Sequence, residues 1–196
     1  MLLSVMSTFR RFVDSTRAVA AVEFAMVMPV LLLLFLGSFD AGNAIVIYMK
    51  VRAATYSLGA ITNQYGIGNA AISPTIMSTI TSATSAILSP YSNTPTVLVI
   101  SQIKATSATA AVVSWSYTVN GTALTQGATY TGLPTNFAKN SCGGTYPCYV
   151  ILASVSYSYT PTFGAFMTGP VNLSDSIYTT PRISTCVQYN SVPSSC

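Results

Sequence analysis

Residues 15–37 read STRAVAAVEFAMVMPVLLLLFLG, and the fold turns on how this stretch is read. From Ala18 to Phe39 the chain is apolar except for Glu23 and Ser38. A bilayer core needs about 20 such residues to be crossed by a helix. Arg10, Arg11 and Arg17, against Asp14, give the preceding leader a net positive charge, which by the positive-inside rule holds that end in the cytoplasm. Pro29 falls inside the run and is expected to kink the helix locally, since it removes one backbone hydrogen bond. The anomaly is Glu23. A charged side chain in a spanning helix costs roughly 2.5–3.5 kcal/mol even on lenient insertion scales, so an acid kept there points to a function.

Outward from this run, no proline intervenes between Val30 and Gln64, so the helix is expected to continue to about Asn63. Ile45, Met49, Ala53, Tyr56 and Ala60 recur at spacings of three and four and predict the face that packs on a folded domain. A break near Gly37 or Gly42 is the lesser alternative. Ser73 followed by Pro74 reads as an N-cap with proline at the first helical position. Ile76, Ile80, Ala83 and Ile87 then mark a short amphipathic helix that Pro90 ends. From Thr96 the pattern turns to strands: 96–104; a segment in which Val113, Trp115, Tyr117 and Val119 alternate with polar residues; 148–159; and 171–179. Asn120-Gly121 is a turn signal, and the Gly-, Thr- and Pro-rich stretches 121–147 and 160–170 read as loops. Helices followed by an antiparallel meander make the expected class α+β: a long transmembrane helix continuing into an ectodomain with a second short helix and a four-stranded antiparallel sheet.

The chemistry-bearing residues are few. Of 196 residues 6% are charged and none is His, so no basic patch forms that would neutralise phosphates, and nucleic acid is not an expected partner. Acid–base and nucleophilic catalysis need a titratable group near working pH. Beyond the juxtamembrane region only Lys104, Lys139, Arg182 and Asp175 are charged, so an enzyme is not expected, nor is a cofactor. Trp115, Tyr117, Tyr157 and Tyr159 suggest sheet packing before a ligand platform. Cys142, Cys148, Cys186 and Cys196 all lie in the last third. Without His or a CxxC spacing zinc is disfavoured, and disulfides in an oxidising compartment are expected. Four cysteines allow three connectivities; the short loops favour Cys142 with Cys148 and Cys186 with Cys196.

Two export readings compete at the N-terminus. Arg10-Arg11-Phe12 brings a twin-arginine signal to mind, although paired arginines before a membrane segment are most often topology determinants. Gly42-Asn43-Ala44 offers small residues to a leader peptidase, and cleavage there would release a secreted or periplasmic β-rich binding module. Glu23 argues against both, and the length of the apolar run argues against the leader-peptidase reading.

The stretch AVAAVEFAMVMPVLLLLFLG, residues 18–37, resembles the start of the TadE-like minor pseudopilins of the tight-adherence (Tad, Flp) pilus system. Their pattern is a basic leader, a small residue, four mostly small or apolar residues, Glu followed by Phe or Tyr, and an apolar helix. Pro181-Arg182 near the last strand is a looser point of likeness. The resemblance implies a prepilin-peptidase cut between Ala18, where the family more usually has Gly, and Val19. Glu23 becomes the fifth residue of the mature chain, beside Phe24. It also implies a cytoplasmic leader over 1–18, a transmembrane helix over 19–41 and a periplasmic pilin-like ectodomain over 42–196, in a single-pass protein of the bacterial inner membrane. The implied partners are the prepilin peptidase, other minor pseudopilins, the major Flp-type pilin, the inner-membrane assembly platform and membrane lipid.

Overall fold

The computed structural model of the chain describes residues 16–91, 96–164, 169–190, 192 and 196. Most of the basic leader, with Arg10, Arg11 and Asp14, lies outside the described residues. The chain divides into two compact units, one of residues 1–43 with 161–169 and one of residues 44–160 with 170–196.

Helix α1, Thr16–Thr62, has 47 residues, about 70 Å at 1.5 Å per residue. It runs without interruption through Pro29, Gly37 and Gly42. Among residues 19–39 all but the half-buried Leu36 are exposed, so this half of the helix has apolar side chains on every side with little cover from the described residues. In the second unit one side of α1 enters the main core: Ile47, Val51, Ala54 and Leu58 are each at most 2% exposed. Burying side chains of this kind stabilises by about 1.5–3 kcal/mol for each Val, Leu or Ile.

That buried side is the opposite of the expected one. Ile45, Met49 and Tyr56 are 61%, 56% and 49% exposed, and Ala53 and Ala60 are exposed with them. At 3.6 residues per turn the two sets lie on opposite sides of the helix, and both are apolar, so periodicity alone favours neither. Two details separate them. Arg52 falls on the exposed side, over the ring of Tyr56 at 5.8 Å. Thr55 and Thr62 fall on the buried side and donate their hydroxyls to the carbonyls of Val51 (2.9 Å) and Leu58 (2.8 Å), so neither brings an unpaired polar group into the core.

Helix α2, Pro74–Ile87, starts as the sequence predicts, with the Ser73 side chain accepting from the Ile76 N–H at 3.2 Å. Its buried side is Met77, Ile80, Thr81 and Thr84, rotated from the expected stripe, and Ala83 is exposed. The Lys50 ammonium donates to the carbonyls of Ile87 (3.3 Å) and Ser89 (2.5 Å). A cation at a helix C-terminus satisfies carbonyls that lack partners and complements the helix dipole.

The sheet consists of β1 (Thr96–Ala105), β2 (Ala111–Val119), β3 (Cys148–Tyr159) and β4 (Val171–Thr179). All pairings are antiparallel, in the order β2-β1-β3-β4. The strands therefore do not form a meander, because β3 pairs with β1 and not with β2. The reason lies in the stretch after β2. It doubles back along the free edge of that strand, with Val113 N–H donating to Ala128 (3.0 Å) and Tyr130 N–H to Ala111 (2.8 Å), and so covers an edge that would otherwise offer unpaired groups. The same stretch contains a short helix, α3 (Thr135–Ser141), where loop is expected from the sequence.

One sheet face joins the core through Leu98, Ile100, Trp115, Ala153 and Val155. A bulge sets Trp115 opposite Gln102 but Val113 opposite Ile103. Val113, read from the sequence as part of the Trp115 stripe, thereby moves to the other face, where it packs with Ile103, Ala111 and Leu152. An extra residue in one strand reverses the side on which later residues point. The C-terminal segment closes the main core. Trp115 Nε1 donates to the Val187 carbonyl at 2.8 Å, and the Val187 N–H donates to Gln102 Oε1 at 2.6 Å, both buried. Disulfides join Cys142 to Cys148 and Cys186 to Cys196.

On the second face the Tyr178 hydroxyl donates to the Gly132 carbonyl at 2.7 Å and shares a hydrogen bond with the Tyr130 hydroxyl at 2.7 Å. Burial first, and then that bond to Tyr130, push the Tyr178 pKa up. A phenol with a folded pKa above its unfolded value of about 10 contributes stability that is fully present below pH 10 and lost as pH rises through the folded value. The melting temperature is accordingly expected to fall more steeply above pH 10 in the native protein than in Tyr178→Phe. Parallel curves from thermal unfolding followed by circular dichroism would contradict this.

Candidate functional site: the N-terminal helix and its two carboxylates

The apolar half of α1 carries two acids in different surroundings. Ala18, Val19, Glu23 and Phe24 lie in its first turns, on consecutive helical backbone. Val19 and Phe24 are 52% and 62% exposed, and Glu23 is exposed with them. Pro29 lies about 1.7 turns beyond Glu23 within the same helix.

Asp40, where the apolar run ends, is 6% exposed. Its Oδ1 accepts from the Thr162 N–H at 3.0 Å, and its Oδ2 accepts from the N–H groups of Phe163 (2.9 Å) and Gly164 (2.7 Å). These donors come from the loop that joins β3 to β4 and belong to the same compact unit as Asp40. Hydrogen bonds to an ionised acceptor are roughly twice as strong as neutral ones, and three on one carboxylate replace much of the water it loses on burial. Beside them the rings of Phe39 and Phe163 meet edge to face, 5.9 Å between centroids. Asp40 is not among the residues expected from the sequence to carry a function. The signal available was an acid closing an apolar run at Ser38-Phe39-Asp40, with a turn-rich Thr-Pro-Thr-Phe-Gly stretch at 160–164 able to supply backbone donors.

The other groups singled out for chemistry are dispersed. Lys104 sits over the Tyr149 ring at 5.8 Å, Lys139 lies in the last turn of α3, and Asp175 pairs with Val155 across β3 and β4. Among the described residues no three His, Cys, Asp or Glu side chains are grouped so as to hold a metal ion. Chemically, the arrangement around α1 offers insertion and docking: an uncovered apolar helix, an exposed acid near its start and a second acid satisfied by backbone donors.

A family model described as TadE-like protein matches residues 18–57. The matched segment, residues 18–57, is similar to TadE-like proteins. The match associates the chain with the Tad pilus system. No curated protein and no solved structure matches the chain. The TadE-like segment takes in Ala18, Val19, Glu23, Phe24, Pro29 and Asp40 and ends within α1, before α2 and the sheet begin.

In Asp40→Ala the N–H groups of 162–164 lose their acceptor. Hydrogen–deuterium exchange of the full chain in detergent is expected to run roughly tenfold or more faster at these amides. Exchange along the interior of β3 should be unchanged. Equal protection at 162–164 in both proteins would show that Asp40 does not hold the loop.

Proposed function

We propose that this chain is a minor pseudopilin that helps to initiate or cap assembly of a Tad/Flp adhesive pilus. In this reading it is made as a precursor with a cytoplasmic leader over 1–18 and trimmed between Ala18 and Val19 by a prepilin peptidase. The helix over 19–41 anchors it in the inner membrane, and residues 42–196 form a periplasmic ectodomain. Other minor pseudopilins, the major Flp-type pilin and the assembly platform are its partners. It serves as a structural component and a peptidase substrate, without chemistry of its own.

The observation that carries this reading is the TadE-like match over a helix whose residues 19–39 are apolar and uncovered and whose one early polar position is Glu23. An isolated carboxylate in a low-dielectric helix bundle is expensive, whereas one beside an ammonium recovers much of the loss. After cleavage the Val19 amine supplies that ammonium, within one subunit or from its neighbour. A subunit docked at the wrong height leaves both charges unpaired, so the pair selects register more than it adds stability. The helical backbone through Gly42-Asn43-Ala44, and the packing of Ala44 against the main core, favour this reading over a leader-peptidase cut after Ala44.

The test is the N-terminal sequence and intact mass of the protein recovered from its host's membranes. A start at Val19 is expected; a start at Ile45 would mean a released protein and end the pilus reading. Glu23→Ala is expected to leave the protein in the membrane and abolish piliation seen by electron microscopy, and normal pili in that variant would remove the register role.

A further inference from the structure

We propose that residues 161–164, in the loop after β3, form a second membrane contact, in which Phe163, held against Phe39 by Asp40, sits in the headgroup layer of the bilayer crossed by α1. The inference rests on the anchoring role proposed above for residues 19–41, and it adds a surface that neither the family match nor the sequence reading includes.

Three observations carry it. Phe163 is 48% exposed and Phe39 is 53% exposed although their rings touch, so the pair presents apolar surface outward. That surface continues the uncovered apolar side chains of α1, because Phe39 is the last residue of the run. Apolar side chains such as Phe on a surface that lies against a bilayer bury about 5–10 Å into the boundary between headgroups and acyl chains. The second observation concerns the backbone. Non-helical chain at membrane depth is tolerated only where its polar groups are satisfied by protein or water. Pro161 has no N–H, and the next three N–H groups, of Thr162, Phe163 and Gly164, all donate to Asp40. Four consecutive loop residues thus present no unpaired backbone donor to lipid. Third, no charged residue occurs from Thr160 to Pro170. In a chain this poor in charge that fact alone decides little, but it leaves nothing in the loop to resist the interface.

The occupant is therefore the lipid surface around the protein's own helix. The experiment uses the full chain reconstituted into vesicles of phosphatidylcholine and phosphatidylglycerol containing lipids brominated near the headgroup end of the acyl chain. Phe163→Trp is compared with Leu31→Trp as a reporter of the span. Trp115, which is fully buried, gives a background common to both that is measured on the unsubstituted protein. The Phe163→Trp emission is expected to be quenched at least twofold by the brominated lipid and to resist aqueous iodide. Thr162→Trp, one residue away and clear of the ring contact, should report the same. Adding Asp40→Ala to Phe163→Trp should reduce the lipid quenching at least twofold and restore access to iodide, and unchanged quenching would overturn the role given to Asp40. Quenching of Leu31→Trp with none in Phe163→Trp or Thr162→Trp would overturn the loop contact and leave the anchor standing. Absence of lipid quenching in all three would overturn the anchor and the loop contact together.

Discussion

A helix that is apolar on every side has to find an apolar medium for each part of its surface, and α1 sets that condition for the whole chain. Between Ile47 and Leu58 folded protein meets it on one side: Val51, Ala54 and Leu58 are fully buried with Ile100, Ile151 and Ala153 of the sheet. Between Val19 and Phe39 the side chains are exposed except for the half-buried Leu36, and the ring contact among them is that of Phe39 with Phe163. At roughly 25 cal/mol for each Å² of apolar surface, an uncovered stretch of that length is not tolerated in water. The sheet, α2 and the buried C-terminal segment give one part of α1 a core. The remaining part needs lipid or other helices, and the TadE-like match takes in this stretch.

The elements of the fold were legible in the sequence because local chemistry fixes them. Ser73 and Pro74 start α2 through a cap that depends on those two residue types. The strands follow β-branched alternation, and the long helix follows from the absence of any breaker stronger than one membrane-tolerated proline. Apart from the short helix α3, which lies where loop is expected, the differences concern which surface meets which. The buried side of α1 could not be found by period, since Ile45, Met49 and Tyr56 are as apolar as Ile47, Val51 and Leu58. Arg52 among the first set was the better guide. The place of Val113 depended on a bulge that no alternation shows. The strand order depended on a loop that lies along the outer edge of β2 through backbone bonds, supported by Leu124 N–H on the Ser116 hydroxyl and by Leu124 and Tyr130 packed beside Val113, and the backbone bonds leave no mark on side-chain pattern.

The site shows the same division. Glu23 was legible because an acid inside an apolar run violates a local rule. Asp40 was not, because an acid at the edge of such a run violates nothing, and its donors are backbone groups more than 120 residues away. What identifies Asp40 is its burial together with three convergent N–H groups.

The two carboxylates on α1 therefore solve one problem in opposite ways. Asp40 is satisfied within its own chain by donors that carry no net charge, so its environment is complete in a single molecule and gives no reason to seek a partner. Glu23 is exposed on a helix turn with apolar residues around it, a state that water tolerates and a bilayer or helix bundle does not. In the proposed role its environment is completed by a cation at matching depth, and the side chains nearby in sequence supply only Arg17, on the far side of the expected cut. Cleavage after Ala18 would remove that arginine and replace it with the new amine of Val19. The cationic partner of Glu23 would then be created by the processing step itself, so that an uncut subunit would enter the bundle with a different charge placement from a mature one.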